Sequence, residues 1–169
     1  MRLAADDEAG GGLLDPVAIA ALALLVVNDH VLKAAARGTA FGVVTGKLSD
    51  VAGMVFFPIL VVAGIELMRQ WRRSFPGPMP SVAVAVASLV AVVFTLTKVS
   101  TVAGHVYAMT WAVLQWPFRA ALALWSDDVV PSLQPVANVV DPTDVVAIVG
   151  VLYVVWQTRQ RAQRRLRRG

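Results

Sequence analysis

The stretch that decides the fold runs from Leu13 to Met68: LLDPVAIAALALLVV (13–27), NDHVLKAAARGTAFGVVTGKLSD (28–50), VAGMVFFPILVVAGIELM (51–68). Two long apolar runs flank a segment that carries Asp29, His30, Lys33, Arg37, Lys47 and Asp50. An apolar run as long as a bilayer is thick, bounded by charge, belongs to a membrane helix. The central segment is then either an ordinary wet loop or one wall of a polar site at the mouth of a bundle.

The rest of the chain fits a lipid solvent. Of 169 residues, 57% are hydrophobic and 15% charged, against roughly 25% charged in a soluble domain. Mean hydropathy is +0.67. Cysteine is absent, which excludes disulfides, thiolate metal sites and cysteine nucleophiles. The amino end opens with acids in place of the basic region of a cleavable leader, so the first apolar run is expected to stay as a helix.

Helix starts divide the chain. Asp15-Pro16 joins a capping acid to a proline at the first helical position. Ser49-Asp50, Ser81 and Asp141-Pro142 mark three further starts. The expected architecture is all-α, a four-span transmembrane helix bundle (13–158) with spans at about 16–32, 49–68, 81–98 and 142–157. Residues 1–12 are expected as a disordered arm and 159–169 as a basic cytoplasmic tail. Pro58 should kink the second span. Ala83, Ala87 and Ala91 form a small-residue stripe for close helix packing. Residues 99–126 are apolar but interrupted by His105, Gln115, Pro117 and Arg119, with His105, Ala108, Ala112, Gln115 and Arg119 at helical spacing. They are expected as an outer-face interfacial or re-entrant helix pair, with a fifth span as the rival.

Basic residues set the orientation. With four spans, ten Lys and Arg fall on the side of the termini and the 69–80 loop, and five on the other. The positive-inside rule places both termini in the cytoplasm of a multi-pass protein of the bacterial inner membrane. The six arginines of the tail are expected to touch anionic headgroups, not nucleic acid, since no aromatic residue interleaves them.

That topology gathers Asp29, His30, Lys33, Lys47, Asp50, Lys98, His105, Asp141 and Asp144 at the outer end. Ionisable groups at membrane depth pair or face a cavity. All three lysines of the chain lie in this set, whereas the other twelve basic residues are arginine. Asp15 and Asp141 have the simpler role of capping helices, and Lys98 of snorkelling to the headgroups. GVVTGKLS is no phosphate loop, because Phe41 stands where that motif needs glycine. The two histidines lack metal-binding spacing, and neither cofactor nor metal is expected.

N-D-H-x-L-K (Asn28–Lys33), T-G-K-L-S-D (Thr45–Asp50) and D-P-T-D (Asp141–Asp144) together resemble a group of uncharacterised bacterial polytopic membrane proteins. The layout is also similar to that of lipoprotein signal peptidase, although that family's Asn-x-x-Asp-Arg segment is missing. The likeness implies Asp50 and Asp144 as paired catalytic carboxylates, with Asp29, His30, Lys33, Lys47, Lys98, His105 and Asp141 in binding roles. The leading expectation is a small membrane protein whose polar site binds or acts on a lipid-linked or small polar substrate. A transporter or channel subunit and an accessory subunit of a membrane complex are the alternatives. An 18.0 kDa chain is expected to need a homo-oligomer or a membrane partner to form a pathway.

Overall fold

The computed structural model describes residues 8–32, 35–36, 39 and 41–167. Among these residues all regular structure is helical, without a strand. A short 3-10 turn (Gly11–Leu14) leads into α1 (Pro16–Val27), which ends in a π-helical turn (Asn28–Leu32). Helices α2 (Phe41–Trp71), α3 (Pro80–Val99) and α4 (Thr101–Trp125) follow, then a 3-10 stretch (Pro142–Val149) and α5 (Gly150–Leu166). The segments Val44–Trp71 and Pro80–Val99 are long and apolar enough to cross a membrane, and Pro16–Leu32 is a shorter apolar helix. The chain divides into two compact units, one of Met1–Val92 with Val146–Gly169, the other of Val93–Val145.

In the first unit α1 starts as its sequence dictates. Asp15 Oδ1 accepts a 2.8 Å hydrogen bond from Val17 N, and Pro16 fills the first helical position. The second helix does not. It begins at Phe41, so Ser49 and Asp50 lie inside it and do not cap it. The reason is tertiary: Thr45 and Ser49, four residues apart, share one helical face and are buried there.

Contacts along the helices fix their directions. Gly150 of α5 lies so close to α2 that a Cβ would sit 3.2 Å from both Met54 and the Val51 carbonyl. Eleven residues on, Arg161 pairs with Glu66 of α2, so α2 and α5 run parallel. Helix α1 runs against both. Gly12, just before it, accepts a bond from Gln157, Asp15 accepts one from Tyr153, and Asn28 at its far end bonds to Thr45 and Ser49. Residues 8–12 and the carboxyl ends of α5 and α2 therefore share one end of this unit. The exposed arginines Arg69, Arg72, Arg73, Arg159, Arg164, Arg165 and Arg167 belong to those segments.

Ala18, Ile59, Val62, Ala83, Val86 and Val154 form the central cluster. Ala83 and Ala87 of the α3 stripe are buried and Ala91 half-buried. Alanine supplies most of the buried apolar positions, whereas Leu22, Val26, Leu60, Leu67, Leu89 and Leu152 point outward. Small residues inside and large apolar ones outside is the packing of helices whose surroundings are as apolar as leucine.

The junction of the chain ends departs most from expectation. Residues 8–12, expected within a disordered arm, are placed against α2 and α5. Glu66 is wholly buried, and its carboxylate accepts two 3.1 Å bonds from the Arg161 guanidinium and a 2.9 Å bond from Gly10 N. Arg161 also donates to the Glu8 carbonyl at 2.9 Å, and Gln157 to that of Gly12 at 2.8 Å. Part of the basic tail is helical as well. Helix α5 runs to Leu166, and Arg161, 3% exposed, belongs to the core.

The second unit is built on α4. Ser100 caps it by accepting from Ala103 N at 3.2 Å, and Pro117 lies inside it, so one helix stands where a pair was expected. Residues 128–141 then return without regular structure. Trp116 donates to the Pro131 carbonyl, Val136 N to that of Ala108, and Asn138 to that of Thr97, so the return runs antiparallel to α4. Gly104 permits this approach, since a Cβ there would come within 2.6 Å of Asn138 Nδ2. The expected stripe of small and polar residues is split: Ala108 and Ala112 are buried, while His105, Gln115 and Arg119 are exposed.

Breaking a buried ion pair strands a charge at a cost of roughly 3–5 kcal/mol. Glu66→Gln, Arg161→Met and truncation after Gln157 should each lower the melting temperature in detergent markedly. Glu66→Leu combined with Arg161→Leu should cost less than the two single changes added. An unchanged transition in the truncated chain would show that the tail is dispensable for folding.

Candidate functional site

At the end of the first unit away from the chain termini, the centre is Asn28, 0% exposed. The π-helical turn that Asn28 opens is the kind of local irregularity often found at functional positions. Asn28 Nδ2 donates at 2.7 Å to both the Thr45 carbonyl and Ser49 Oγ. Ser49 Oγ in turn donates to Asp29 Oδ1 at 2.9 Å, and Thr45 Oγ1 to the Gly42 carbonyl at 2.9 Å. The N-D-H and T-G-K-L-S-D segments thus meet through a chain of polar side chains. Asn28 Oδ1 is buried without a hydrogen-bond partner among the described residues. The amide assignment is fixed, because the group facing the Thr45 carbonyl has to be the donor.

The other expected residues of this end take different places. Asp29 and His30 are exposed, and Lys47 and Asp50 are half-buried on α2. Lys33 lies outside the described residues. Thr45 and Ser49 were not among the expected site residues, nor was Asn28. A signal for them exists: a hydroxyl pair at i,i+4 beside an apolar run, with an amide closing the run before it.

In the second unit, Lys98 Nζ meets Asp144 Oδ2 at 2.7 Å, with each side chain 11% exposed. Lys98 also sits 5.4 Å from the centre of the Phe94 ring, within range of a cation–π contact. It is held in an ion pair, not simply extended to the headgroups. Asp141 has the capping role: its Oδ1 accepts from Thr143 N at 2.9 Å and from Thr143 Oγ1 at 2.8 Å. His105 is exposed on α4. Asp50 belongs to the first unit and Asp144 to the second, so each carboxylate is defined by its own surroundings.

The Glu66–Arg161 pair was not anticipated. Val151, Val154, Gln157, Thr158 and Arg161 are buried along one face of α5, at helical spacing. Extending that face past the apolar run finds Arg161 from sequence. Glu66 offers no comparable sign beyond being a lone acid in an apolar segment.

Comparison with protein-family models, curated proteins and solved structures found no match.

Removing either member of the Lys98–Asp144 pair leaves the other poorly solvated. Asp144→Asn and Lys98→Met should each destabilise the protein by roughly 3 kcal/mol, with the double change costing less than their sum. Lys98→Arg should also lower the melting temperature, because the planar fork does not fit the place of a compact ammonium. Neutral single changes in a thermal melt would reduce the pair to a surface contact.

Proposed function

We propose that the protein is a four-span membrane protein, both termini cytoplasmic, whose outer end binds a small polar or lipid-linked ligand. The observation that carries this reading is the convergence of two separate polar motifs on buried Asn28, at the end of the first unit opposite the exposed arginines. Burying so many polar groups beside an apolar bundle is costly unless they serve a site. Asp29, Lys47 and Asp50 are the side chains of the first unit assigned to the ligand. In the second unit the ion pair of Lys98 with Asp144 favours a binding role for Asp144 over the catalytic one that the likeness to signal peptidase implies.

Three features support the topology. The antiparallel course of α1 against α2 and α5 suits an even number of crossings between the chain ends. Arginine groups clustered where those ends meet suit a cytoplasmic face in contact with anionic headgroups. The irregular return of residues 128–141 supports an interfacial α4 over a fifth span. Among residues 129–140, only the amide of Val136 donates to a backbone carbonyl, and such a segment needs water around it.

Single cysteines test the sidedness cleanly in a cysteine-free chain. An impermeant maleimide should label Thr39→Cys and Asp128→Cys in intact cells, and Ser74→Cys and Arg167→Cys only after permeabilisation. Labelling of positions 39 and 128 from opposite sides would end the four-span reading.

The ligand is tested by mass spectrometry of the protein released from gentle detergent. A small polar or lipid-linked molecule should be retained by the native chain and lost from Asp29→Asn combined with Asp50→Asn. Equal retention by both would rule those carboxylates out as its binding groups.

A further inference from the structure

We infer that Arg69 of α2 and Arg165 of α5 together hold the phosphate group of an anionic phospholipid. The register of the two helices carries both residues to one place. Arg161 is paired with Glu66 and the helices run parallel, so one turn further on Arg165 follows Arg161 and Arg69 follows Glu66. The connection to α3 meets both side chains. Arg69 Nη1 donates to Met79 Sδ at 3.2 Å. Arg165 lies against Gly77, where a Cβ would overlap its Nη1 and where φ is +115°, so only glycine leaves room for the guanidinium. Gly77 and Met79 are two residues apart, at most about 7 Å along the chain. The backbone of Arg69 is fixed as well. Its carbonyl accepts from Ser74 N at 2.8 Å and closes the end of α2, with Arg73 in the left-handed region at φ 54°.

Two like charges held on one short segment favour an anion between them. The thioether of Met79 is a weak acceptor, and among the described residues no carboxylate meets either guanidinium. Glu66, the acid one turn before Arg69, is buried and taken by Arg161. The helix ends do not balance the charge. The dipoles of α2 and α5 supply about half a negative charge each, whereas seven arginines are exposed at this end against one exposed acid, Glu8. A guanidinium fork takes the oxygens of a phosphate two at a time, which an ammonium does not. The surroundings identify that phosphate as a lipid's. Leu67, Met68 and Trp71 are exposed on either side of Arg69, and Leu166 is exposed next to Arg165. Apolar side chains give way to charged ones here, and an exposed tryptophan among them marks the depth of the headgroups.

The inference concerns the arginine end and not the outer polar site, and lipid binding in detergent does not depend on which side of the membrane this end faces. The full chain is melted in a non-ionic detergent at fixed ionic strength with added phosphatidylglycerol, phosphatidylcholine or inorganic phosphate. Phosphatidylglycerol should raise the melting temperature saturably, by about 5 °C, and the other two should not. Arg69→Gln combined with Arg165→Gln should remove most of that rise. Arg72→Gln combined with Arg167→Gln removes the same charge from the same end and should leave most of it. Arg69→Lys combined with Arg165→Lys keeps the charge and loses the fork, and should lose about half the rise. An equal loss in the two glutamine pairs would mean diffuse attraction to a basic surface and would overturn the site. An equal rise with phosphatidylcholine, or with inorganic phosphate alone, would overturn the anionic lipid as its ligand.

Discussion

The Glu66 carboxylate is the constraint on which the first unit depends. A wholly buried carboxylate is tolerable only if nearly all its lone pairs are met, and here a guanidinium fork and a backbone amide meet them. Those partners come from the two ends of the chain. Arg161 has to be carried to Glu66 by a helix parallel to α2, and Gly10 by a turn ahead of a helix antiparallel to it. The close passage of Gly150 over Val51 and Met54 permits the parallel approach, near the point where Pro58 leaves a carbonyl of α2 without its helical donor. Once these contacts form, the direction of α1 is settled, and Asn28 is delivered to Thr45 and Ser49.

The two polar ends of this unit then differ in kind. At the chain termini the charged and polar groups satisfy one another: carboxylate, guanidinium, amide and carbonyls close on themselves. At the other end a buried acceptor is left over and charged residues stand partly in the open. A closed network stabilises and specifies, whereas a buried acceptor left unmet carries a desolvation cost. The two ends of the unit divide along that line.

Much of this was legible in the sequence where local chemistry decides. Asp15-Pro16 starts α1, Asp141 turns the chain into the next helical stretch, and the long apolar runs became helices. Ser49-Asp50 has the same local chemistry and misled, because burial against Asn28 outweighed a capping preference worth about 1 kcal/mol. Arg161 is one of six arginines in its final eleven residues, and nothing in composition separates it from Arg159 or Arg164. Only its place on the buried face of α5 does. Glu8 to Gly12 have too little side chain to signal order. They are held by backbone groups, which a composition-based expectation of disorder does not see.

In the second unit helix length is one of two constraints on where α4 can lie. At about 1.5 Å per residue, the 25 residues of α4 reach roughly 37 Å, enough to cross a bilayer. Its neighbour sets a second constraint. The chain that packs on Gly104 and Ala108 is irregular, and among residues 129–140 only Val136 N donates to a backbone carbonyl, a state that hydrocarbon would penalise by several kcal/mol for each unmet group. On α4 the small residues Gly104 and Ala108 face that segment, while Val102, Val106, Val113 and Phe118 are exposed. Lys98 and Asp144 lie at the two ends of this unit's chain, and their bond ties the last turn of α3 to the 3-10 stretch before α5. The pair thereby closes the stretch that runs from the end of α3 through α4 to the 3-10 stretch.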